Sequence, residues 1–475
     1  MVMKSIKGGH WTTYSWLGVV LPIMAVEWIG FKCLYPFANY FADSYSYIQA
    51  AAQQDAISYR PIGYSFFLRM VHAISASDVL VVSLQYVLVQ GACLGLVLSL
   101  RRWCGLGERT VAILMAFLLL NPATPYVCNY ISSDALFIGF SVLWLTVLMG
   151  LLRDPGWWRL GLQLVLLFVI FNLRYVALFY PAVAALTVLL ARRGWVFSIV
   201  GAGASIGVVV AGMLWIKTIT NRETGADLFS AFSGWQIANN ALNLYAHIPV
   251  DTVGLPSPEC QELAGYVKRD EMPRAQTVTT DYMWLRTSPL HCYLQAYRQR
   301  NRLTYFTGWN QVGVVFTRYG YWVARKHPAA FLRYYAWPSA RTFFLPDLDV
   351  FAVYNEGKPE VDPVAKDWFH YRGRRVAVYS ATIQARLLAP IPVLYLLLTI
   401  AFIGAALLFL PFAEVRKRSP VFTGGFRLAS AFLLANAFFS IFASPSVLRY
   451  QVLPMIILFV FGVCAISKSK IFYVN

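Results

Sequence analysis

Apolar stretches of about 20 residues recur along this 475-residue chain and constrain its fold more than any other feature. A helix of about 20 apolar residues crosses the hydrocarbon core of a bilayer. Composition agrees, because 58% of the residues are hydrophobic, 13% are charged and the mean hydropathy is +0.55. The sequence therefore predicts an all-α polytopic membrane protein and excludes a single water-soluble core.

We predict about ten membrane-spanning helices by the length rule. They divide the chain into an N-terminal transmembrane module (1–218), a central segment (219–386) and C-terminal transmembrane helices (387–475). The central segment has few long apolar runs and is predicted to be extracytoplasmic and partly interfacial, folded as helices and loops against the membrane domain. The predicted spans lie near 14–35, 79–100, 110–127, 132–152, 157–172, 174–191, 196–218, 387–411, 422–443 and 448–466.

Basic residues in the short loops favour one orientation, because positively charged loops are retained in the cytoplasm. With the N-terminus inside, every basic cluster falls on the cytoplasmic side, and both termini are predicted to be cytoplasmic. Since these clusters flank spans, the net charge of +18 is explained without nucleic acid as a partner. The clusters comprise Lys4, Lys7, Arg101, Arg102, Arg109, Arg153, Arg159, Arg192, Arg193, Arg416, Lys417, Arg418, Arg427, Lys468 and Lys470.

The opposite loops carry acids and arginines that apolar spans do not need. The first of these loops (36–78) contains Asp43 and, soon afterwards, Tyr59 and Arg60. Arg174 lies between two apolar runs, and Arg449 precedes Tyr450 at the start of the last span. Ionisable residues near the membrane without local partners are candidates for function. The alternative for each arginine is a side chain that extends to the lipid headgroups.

Arginine forks bind phosphate in a bidentate manner, and a lipid-linked phosphate is the natural anion at headgroup depth. A nearby carboxylate could deprotonate an acceptor hydroxyl or amine as it attacks a sugar carbon. The arginines would stabilise the charge that builds on the leaving phosphate. These residues favour glycosyl transfer from a polyprenyl phosphate. The structural alternative for Asp43, and equally for Asp134, is a helix N-cap.

Several motifs, in order along the chain, resemble the GT-C superfamily of integral-membrane glycosyltransferases. The resemblance is to the branch of protein O-mannosyltransferases and of bacterial enzymes that transfer aminoarabinose or other sugars from undecaprenyl phosphate. The motifs are ADSYSYI around Asp43, YRPIGYSFFL from Tyr59, SSDALFIGF around Asp134, NLRYVALFYP around Arg174, KHPAAFLRYY at 326–335 and SPSVLRYQVLPMIILF around Arg449.

The resemblance implies a catalytic acid at Asp43 and contacts from Arg60, Arg174 and Arg449 to the phosphate or sugar, near Tyr59 and Tyr450. It also implies a cavity that opens on the outer leaflet. Relatives in this superfamily often have two adjacent acids in the first outer loop, whereas Asp43 is followed by Ser44. The second acid is therefore either absent or supplied by Asp55 or Asp134.

Within the central segment, Trp235, Asn239 and Asn240 are of residue types that bind sugars, through stacking and amide hydrogen bonds. A packed helix is the alternative for this stretch. Asp347 and Asp349 form an Asp-x-Asp pair, which could hold a divalent cation or cap a turn. A lipid monophosphate donor does not require a cation, so we expect no metal and no other cofactor beyond the polyprenyl-phosphate-linked sugar.

Two further features concern structure. Cys260 and Cys292 share the central segment, so one disulfide is possible in an oxidising compartment. Glu27, a solitary acid inside the first predicted span, is interpreted as a hydrogen-bond partner between helices.

We therefore predict a membrane glycosyltransferase in a bacterial inner membrane, with a periplasmic active site. Its partners would be membrane lipids, the polyprenyl-phosphate sugar donor and a lipid, glycan or protein acceptor. An O-antigen ligase or polymerase is one alternative and would use a pyrophosphate donor. A polyprenyl-lipid flippase or transporter is another, although such proteins more often show repeated halves and ionisable residues in mid-span.

Overall fold

A computed structural model describes residues 12–191, 193–269, 281–410 and 419–470, the last without the side chain of Lys470. The basic residues Lys4, Lys7, Arg192 and those at 416–418 lie outside this part of the chain. In the described residues the regular secondary structure is helical, with isolated β-bridges but no strand, which confirms the all-α prediction.

The helices are numbered in chain order. The N-terminal module contains α1 (Thr13–Leu34), α2 (Ala42–Gln53), α3 (Gly63–His72), α4 (Asp78–Cys104), α5 (Glu108–Leu120), α6 (Ala123–Cys128), α7 (Ser133–Arg153), α8 (Trp157–Leu173), α9 (Tyr180–Leu190) and α10 (Trp195–Thr224). The central segment contains α11 (Ala231–Leu242), α12 (Pro258–Arg269), α13 (Pro289–Asn301), α14 (Tyr305–Lys326), α15 (Pro328–Phe331), α16 (Trp337–Phe344), α17 (Pro363–Trp368) and α18 (Ile383–Leu388). The C-terminal helices are α19 (Ile391–Phe409), α20 (Pro420–Ala443) and α21 (Leu448–Lys470).

Seven helices of the described chain are long and apolar enough to cross a membrane, which agrees with a membrane protein but does not reach the predicted count of ten. They are α1, α4, α7, α10, α19 with α18 before it, α20 and α21. The predicted fifth and sixth spans correspond to shorter apolar helices, Trp157–Leu173 and Tyr175–Leu190.

The predicted span at 110–127 is broken in the structure. It divides into α5 and α6 at Asn121 and Pro122, where Asn121 has an extended backbone and its side-chain oxygen accepts from the N–H of Ala123. Proline lacks the N–H that would continue the helix. A hydrophobic run alone does not reveal such a break.

The spanning helices form a bundle with α4, α7 and α21 at its centre. The side chains of these three helices are mostly buried, whereas less than a quarter of the apolar windows of α1, α10 and α20 is buried. Exposed apolar side chains on spanning helices suit contact with lipid tails. Glu27 of α1 accepts a hydrogen bond from the hydroxyl of Tyr86 on α4 at 2.5 Å, as the interhelical interpretation expected.

Part of the central segment has a hydrophobic core of its own, which we call the central core. It is built from α11 to α14 with the π-helical turn Leu332–Ala336. Helices α11 and α14 pack closely, since a Cβ atom at Gly320 would lie 2.6 Å from the carbonyl carbon of Ile237. The later part of the segment, from Phe351 to Val376, packs instead into the core of the membrane bundle.

Hydrogen bonds of Asn39 join three separate segments of the chain. Its backbone N–H donates to the carbonyl of Asn129 at 2.7 Å, and its carbonyl accepts from the N–H of Ile131 at 3.0 Å. Its side-chain oxygen accepts from the N–H of Asn355 at 2.7 Å. A fourth segment is attached nearby, because the N–H of Leu448 donates to the carbonyl of Asp347 at 2.9 Å. These contacts bring together the loops that carry the predicted site residues, and we call this the site end of the bundle.

The basic loops meet at the opposite end. Lys468 donates to the backbone carbonyl of Cys104, and the hydroxyls of Thr110 and Ser467 are 2.9 Å apart. Arg159 pairs with Asp154 in the loop between α7 and α8. These contacts bring the described basic loops together at the end of the bundle away from the site end, while their cytoplasmic orientation stays a prediction.

The possible disulfide between Cys260 and Cys292 is not formed. Both thiols are free: Cys260 is buried and its Sγ lies 3.7 Å from the carbonyl of Val315, whereas the Sγ of Cys292 lies 3.6 Å from the carbonyl of Thr287. The two cysteines lie on different helices, α12 and α13, and each thiol contacts a different backbone carbonyl rather than the other thiol.

Replacing Asn39 by alanine is expected to destabilise the site end. The substitution removes the acceptor of the buried Asn355 N–H, and an unpaired buried donor costs about 1–3 kcal/mol of unfolding free energy. Thermal unfolding of the purified protein in detergent would measure the loss. Asn301→Ala is the control, because the Asn301 side chain is exposed and bonds only the carbonyl of Tyr297. Equal melting temperatures for the two variants would contradict the joining role of Asn39.

Candidate active site

Asp43 lies in the first turn of α2, but it does not cap this helix. The residue at the N-cap position is Phe41, whose backbone N–H donates to the hydroxyl of Ser44 at 3.1 Å. The carboxylate of Asp43 instead forms an ion pair with Arg60, with 2.5 Å between Oδ1 and Nη2. Both side chains are about one-fifth exposed, at 20% each. The capping alternative for Asp43 is therefore wrong.

Arg60 joins the first loop to aromatic rings of the central segment. Its guanidinium carbon lies 4.8 Å from the ring centre of Phe232 and 5.8 Å from that of Trp284. The preceding Tyr59 makes edge contacts with Phe306 at 5.0 Å and with Trp309 at 5.7 Å. Burial raises the pKa of the Tyr59 hydroxyl to about 12, so this residue is a neutral anchor for Arg60.

A second group of charges surrounds Asp134 at the start of α7. Ser132 is the N-cap residue of this helix, and its hydroxyl donates to Oδ2 of Asp134 at 3.0 Å. Oδ1 of Asp134 pairs with Nη1 of Arg174, and Oδ2 lies 3.7 Å from Nη1 of Arg449. The Asp134 side chain is only 5% exposed, so the two guanidinium groups compensate a buried carboxylate.

Arg449 has charged neighbours but few hydrogen bonds. Its Nε lies 3.5 Å from Oδ2 of Asp349, is buried and has no hydrogen-bond partner among the residues that the structure describes. Its Nη2 donates to the hydroxyl of Tyr450 at 3.0 Å. The ring of Tyr450 lies against two guanidinium groups, at 4.5 Å from Arg174 and 4.8 Å from Arg449. The charge of Arg449 is thus balanced while part of its donor capacity stays unused.

Two aromatic side chains connect the Asp43 pair with the Asp134 group. The guanidinium of Arg449 lies 4.5 Å from the ring centre of Phe41, two residues before Asp43. The hydroxyl of Tyr47 on α2 is 3.0 Å from that of Ser133 on α7. Burial raises the pKa of Tyr47, the charge of Asp43 raises it further, and the charges of Arg60 and Arg174 lower it. The two groups therefore form one site.

A groove lies beside Arg60, between the first loop and α10. Its empty volume is about 470 Å³, part of it open to solvent. The walls combine apolar and aromatic side chains with the polar Ser58, Arg60, Ser230 and Asn310, and α10 contributes residues from its last turns. The lining includes Ile57, Tyr59, Ile62, Tyr175, Ile216, Thr220, Phe229 and Trp309.

Asp55, one of the two possible second acids, lies far from Asp43. The rest of α2, from Ser44 to Gln53, separates them, a length of about 15 Å at 1.5 Å per residue. The pKa of Asp55 is raised by burial and lowered by the charge of Arg69, a residue outside the site. Among the predicted acids, Asp134 is the one that the structure brings to Asp43.

The central-segment residues predicted to contact sugar lie in the central core. Trp235, Asn239 and Asn240 are fully buried, each at 0% exposure. Trp235 stacks on Trp309 with 3.9 Å between ring centres, and the amide of Asn240 donates to the carbonyl of Ala443 at 3.0 Å. The alternative of a packed helix describes this stretch, because none of the three offers a surface that a sugar could contact.

The Asp-x-Asp pair is divided between two structural roles. Asp347 pairs through its backbone with the segment before α21, at Val447 and Leu448. The Asp349 carboxylate faces the guanidinium of Arg449. Among the residues that the structure describes, no three His, Cys, Asp or Glu side chains are grouped to hold a metal ion.

Sequence reasoning missed the 3₁₀ turn Asp281–Trp284, which approaches the site from the central segment. Trp284 faces Arg60, and the raised pKa of Asp281 reflects burial and then the nearby charge of Asp349. The turn is far in sequence from every motif, and the stretch DYMW carries no pattern that would indicate its place in the fold.

Comparison with known proteins gave no match: no protein-family model fits the chain, and no curated protein or solved structure is significantly similar to it.

The buried carboxylate of Asp134 is expected to be essential for stability. Asp134→Asn would leave two arginines without their shared anion, and breaking a buried ion pair costs about 3–5 kcal/mol of unfolding free energy. Asp154→Asn is the control, because its pair with Arg159 is exposed and screened by water, so its loss should change stability little. Chemical or thermal unfolding in detergent would measure both. A loss no larger than that of the control would contradict the compensating role of Asp134.

Proposed function

We propose that this protein is a GT-C-type glycosyltransferase that moves a sugar from a polyprenyl phosphate to an acceptor. One observation carries the proposal: Arg60, Arg174 and Arg449, from three separate segments, meet Asp43 and Asp134 at one end of a membrane bundle, beside a groove whose walls include apolar and aromatic side chains. Cations for a phosphate, a carboxylate for proton transfer and an apolar surface for a lipid are the groups that this reaction requires.

Arg449 is the strongest candidate for the phosphate ligand. Its nearest carboxylate contacts, at 3.5 and 3.7 Å, are longer than typical charged hydrogen bonds of about 2.7–2.9 Å. A phosphate oxygen would supply the acceptor that its buried Nε lacks. Arg174, which pairs with Asp134, would add a second positive charge near the phosphate. Together they would stabilise the negative charge of the leaving polyprenyl phosphate.

Asp43 is proposed as the general base. In the reaction the acceptor oxygen or nitrogen forms a bond to the anomeric carbon, and the bond from that carbon to the phosphate oxygen breaks. The acceptor proton passes to Asp43 and the polyprenyl phosphate leaves. Because Arg60 pairs with Asp43 in the resting site, this ion pair must open before the carboxylate can take the acceptor proton.

The groove beside Arg60 suits the isoprenoid chain of the donor. Its wall from α10 contains Ile216 and Thr220, and most of the surface of α10 is exposed as expected for a lipid-facing helix. A chain that enters between α10 and the first loop would bring its phosphate towards Arg60. In this proposal the protein lies in a bacterial inner membrane, with cytoplasmic termini and a periplasmic site. The acceptor would be a lipid, a glycan or a protein.

Asp43→Asn is expected to abolish transfer while leaving the protein folded. Removal of a general base costs on the order of 100-fold or more in rate. Membranes that contain the wild type or the variant would be supplied with radiolabelled polyprenyl-phosphate sugars, and label in the acceptor fraction would be counted. Asp154→Asn, an acid of an exposed pair at the opposite end, is the matched control.

Each outcome separates the alternatives. Transfer by the wild type and the control but not by Asp43→Asn supports the proposal. Normal transfer by Asp43→Asn contradicts the role of Asp43. If the wild type consumes only pyrophosphate-linked donors, the ligase or polymerase interpretation replaces this one. If labelled lipid changes leaflet without losing its sugar, the protein is a flippase or transporter.

Arg449→Gln is expected to weaken donor use specifically. The amide keeps a polar side chain of similar reach but removes the charge and the fork that bind phosphate. We expect a rise in the KM for the donor of about 10-fold or more, because hydrogen bonds to charged groups contribute about 1.5–3 kcal/mol. The KM for the acceptor should stay near the wild-type value. Arg159→Gln is the control. If the donor KM of Arg449→Gln equals that of Arg159→Gln, Arg449 is not a phosphate ligand.

A further inference from the structure

The 3₁₀ turn Asp281–Trp284 lies across the site between its two charged groups. One end of the turn, Trp284, is 5.8 Å from the guanidinium of Arg60, the partner of Asp43. The other end, Asp281, is close enough to Asp349 for the two carboxylates to interact. Asp349 in turn faces Arg449. The turn therefore lies beside Arg60, the partner of the proposed base, at Trp284, and within electrostatic range of Asp349 at Asp281.

Trp284 differs from the neighbouring tryptophans by its exposure. It stacks on Trp309 with 5.4 Å between ring centres and 7° between planes, and Trp309 stacks on Trp235 at 3.9 Å. Trp309 and Trp235 are almost fully buried, at 2% and 0%, whereas Trp284 remains 40% exposed. The buried rings hold Trp284 in place, and an open part of its indole remains available beside Arg60.

Asp281, at the other end of the turn, has an exposed carboxyl group that a ligand could reach. The residue is exposed at its surface, while burial on its protein side and the charge of Asp349 raise the pKa of its carboxyl. Its side chain is therefore at the boundary between the protein and the site opening. A carboxyl group in that position can accept hydrogen bonds from hydroxyl groups of a ligand.

We propose that Trp284 and Asp281 form the subsite that recognises the sugar being transferred, Trp284 by stacking on the ring and Asp281 by accepting a hydrogen bond from a ring hydroxyl. This inference rests on the proposed function. A pyranose presents a face of C–H groups, which pairs with the negative face of an indole ring. Its hydroxyls need polar partners when water is removed.

Position supports the donor sugar over other ligands. The phosphate of the donor would lie at Arg449 and the attacking acceptor at Asp43, so the sugar carbon that changes bonds must lie between them. The exposed Trp284 of the turn lies beside Arg60, the partner of the proposed base, and Asp281 is affected by the charge of Asp349, which faces Arg449. Trp284 and Asp281 are thus positioned to decide which sugar is accepted, without taking part in proton transfer.

The test compares Trp284→Ala, Trp284→Phe and Trp337→Ala in the transfer assay. Trp337 is the matched control, since it is a tryptophan of the same segment with 66% exposure. Loss of one apolar contact changes discrimination by roughly 10–200-fold. We expect Trp284→Ala to raise the donor KM by about 10-fold or more and Trp284→Phe to restore most of the loss. Asp281→Ala should reduce the preference for the donor over an analogue that lacks one ring hydroxyl.

A binding measurement separates recognition from catalysis. Asp43→Asn, which is expected to bind the donor without turnover, would be exposed to oxidative footprinting with and without the polyprenyl-phosphate sugar. Protection of Trp284 but not of Trp337 supports the subsite. If the wild type transfers sugar while Trp284→Ala matches Trp337→Ala in donor KM and selectivity, the subsite is wrong. If the wild type transfers no sugar from any polyprenyl phosphate, the proposed function itself fails.

Discussion

The hydrogen bonds around Asn39 are the interaction on which the rest of the site depends. Backbone groups at the mouth of a membrane bundle cannot stay unpaired when they are buried, so loops that meet there must satisfy one another. Asn39 bonds Asn129, Ile131 and Asn355, and thereby fixes the starts of α2 and α7 relative to the central segment. Asp43 and Asp134 are in the first turns of these two helices, so their separation follows from a polar contact that neither residue makes.

Charge compensation decides the rest of the geometry. Arginines near an apolar bundle need anions, and the acids of the site serve this purpose in the resting protein. Asp134 is shared by Arg174 and Arg449, and its burial makes it a poor candidate for proton transfer. Asp43 has one partner and keeps contact with solvent, which leaves it the more available base. The same residue type therefore stabilises structure at one position and is suited to chemistry at the other.

Physical terms explain which features the sequence could predict. Apolar length indicated the spans, and the arginines were recognisable because an apolar chain has few reasons to retain them. The break at Asn121 was not visible, because hydropathy averages over one proline. The burial of Trp235, Asn239 and Asn240 depends on α14, about 70 residues away in the chain, where Trp309 covers the ring. The approach of Trp284 to Arg60 depends on the same distant packing and has no local signal.

The position of Arg449 in α21 also affects how the protein is made. Chains emerge from the ribosome N-terminal part first, and their parts fold in that order. Asp43, Arg60, Asp134 and Arg174 are therefore in the membrane before α21, the last of the described helices, has been inserted. Until then Asp349 lacks the guanidinium that faces it, and Asp134 has only Arg174 beside it. The charged group around Asp134 is therefore completed only after α21 has been made, so its balance of charge differs between the growing chain and the folded protein.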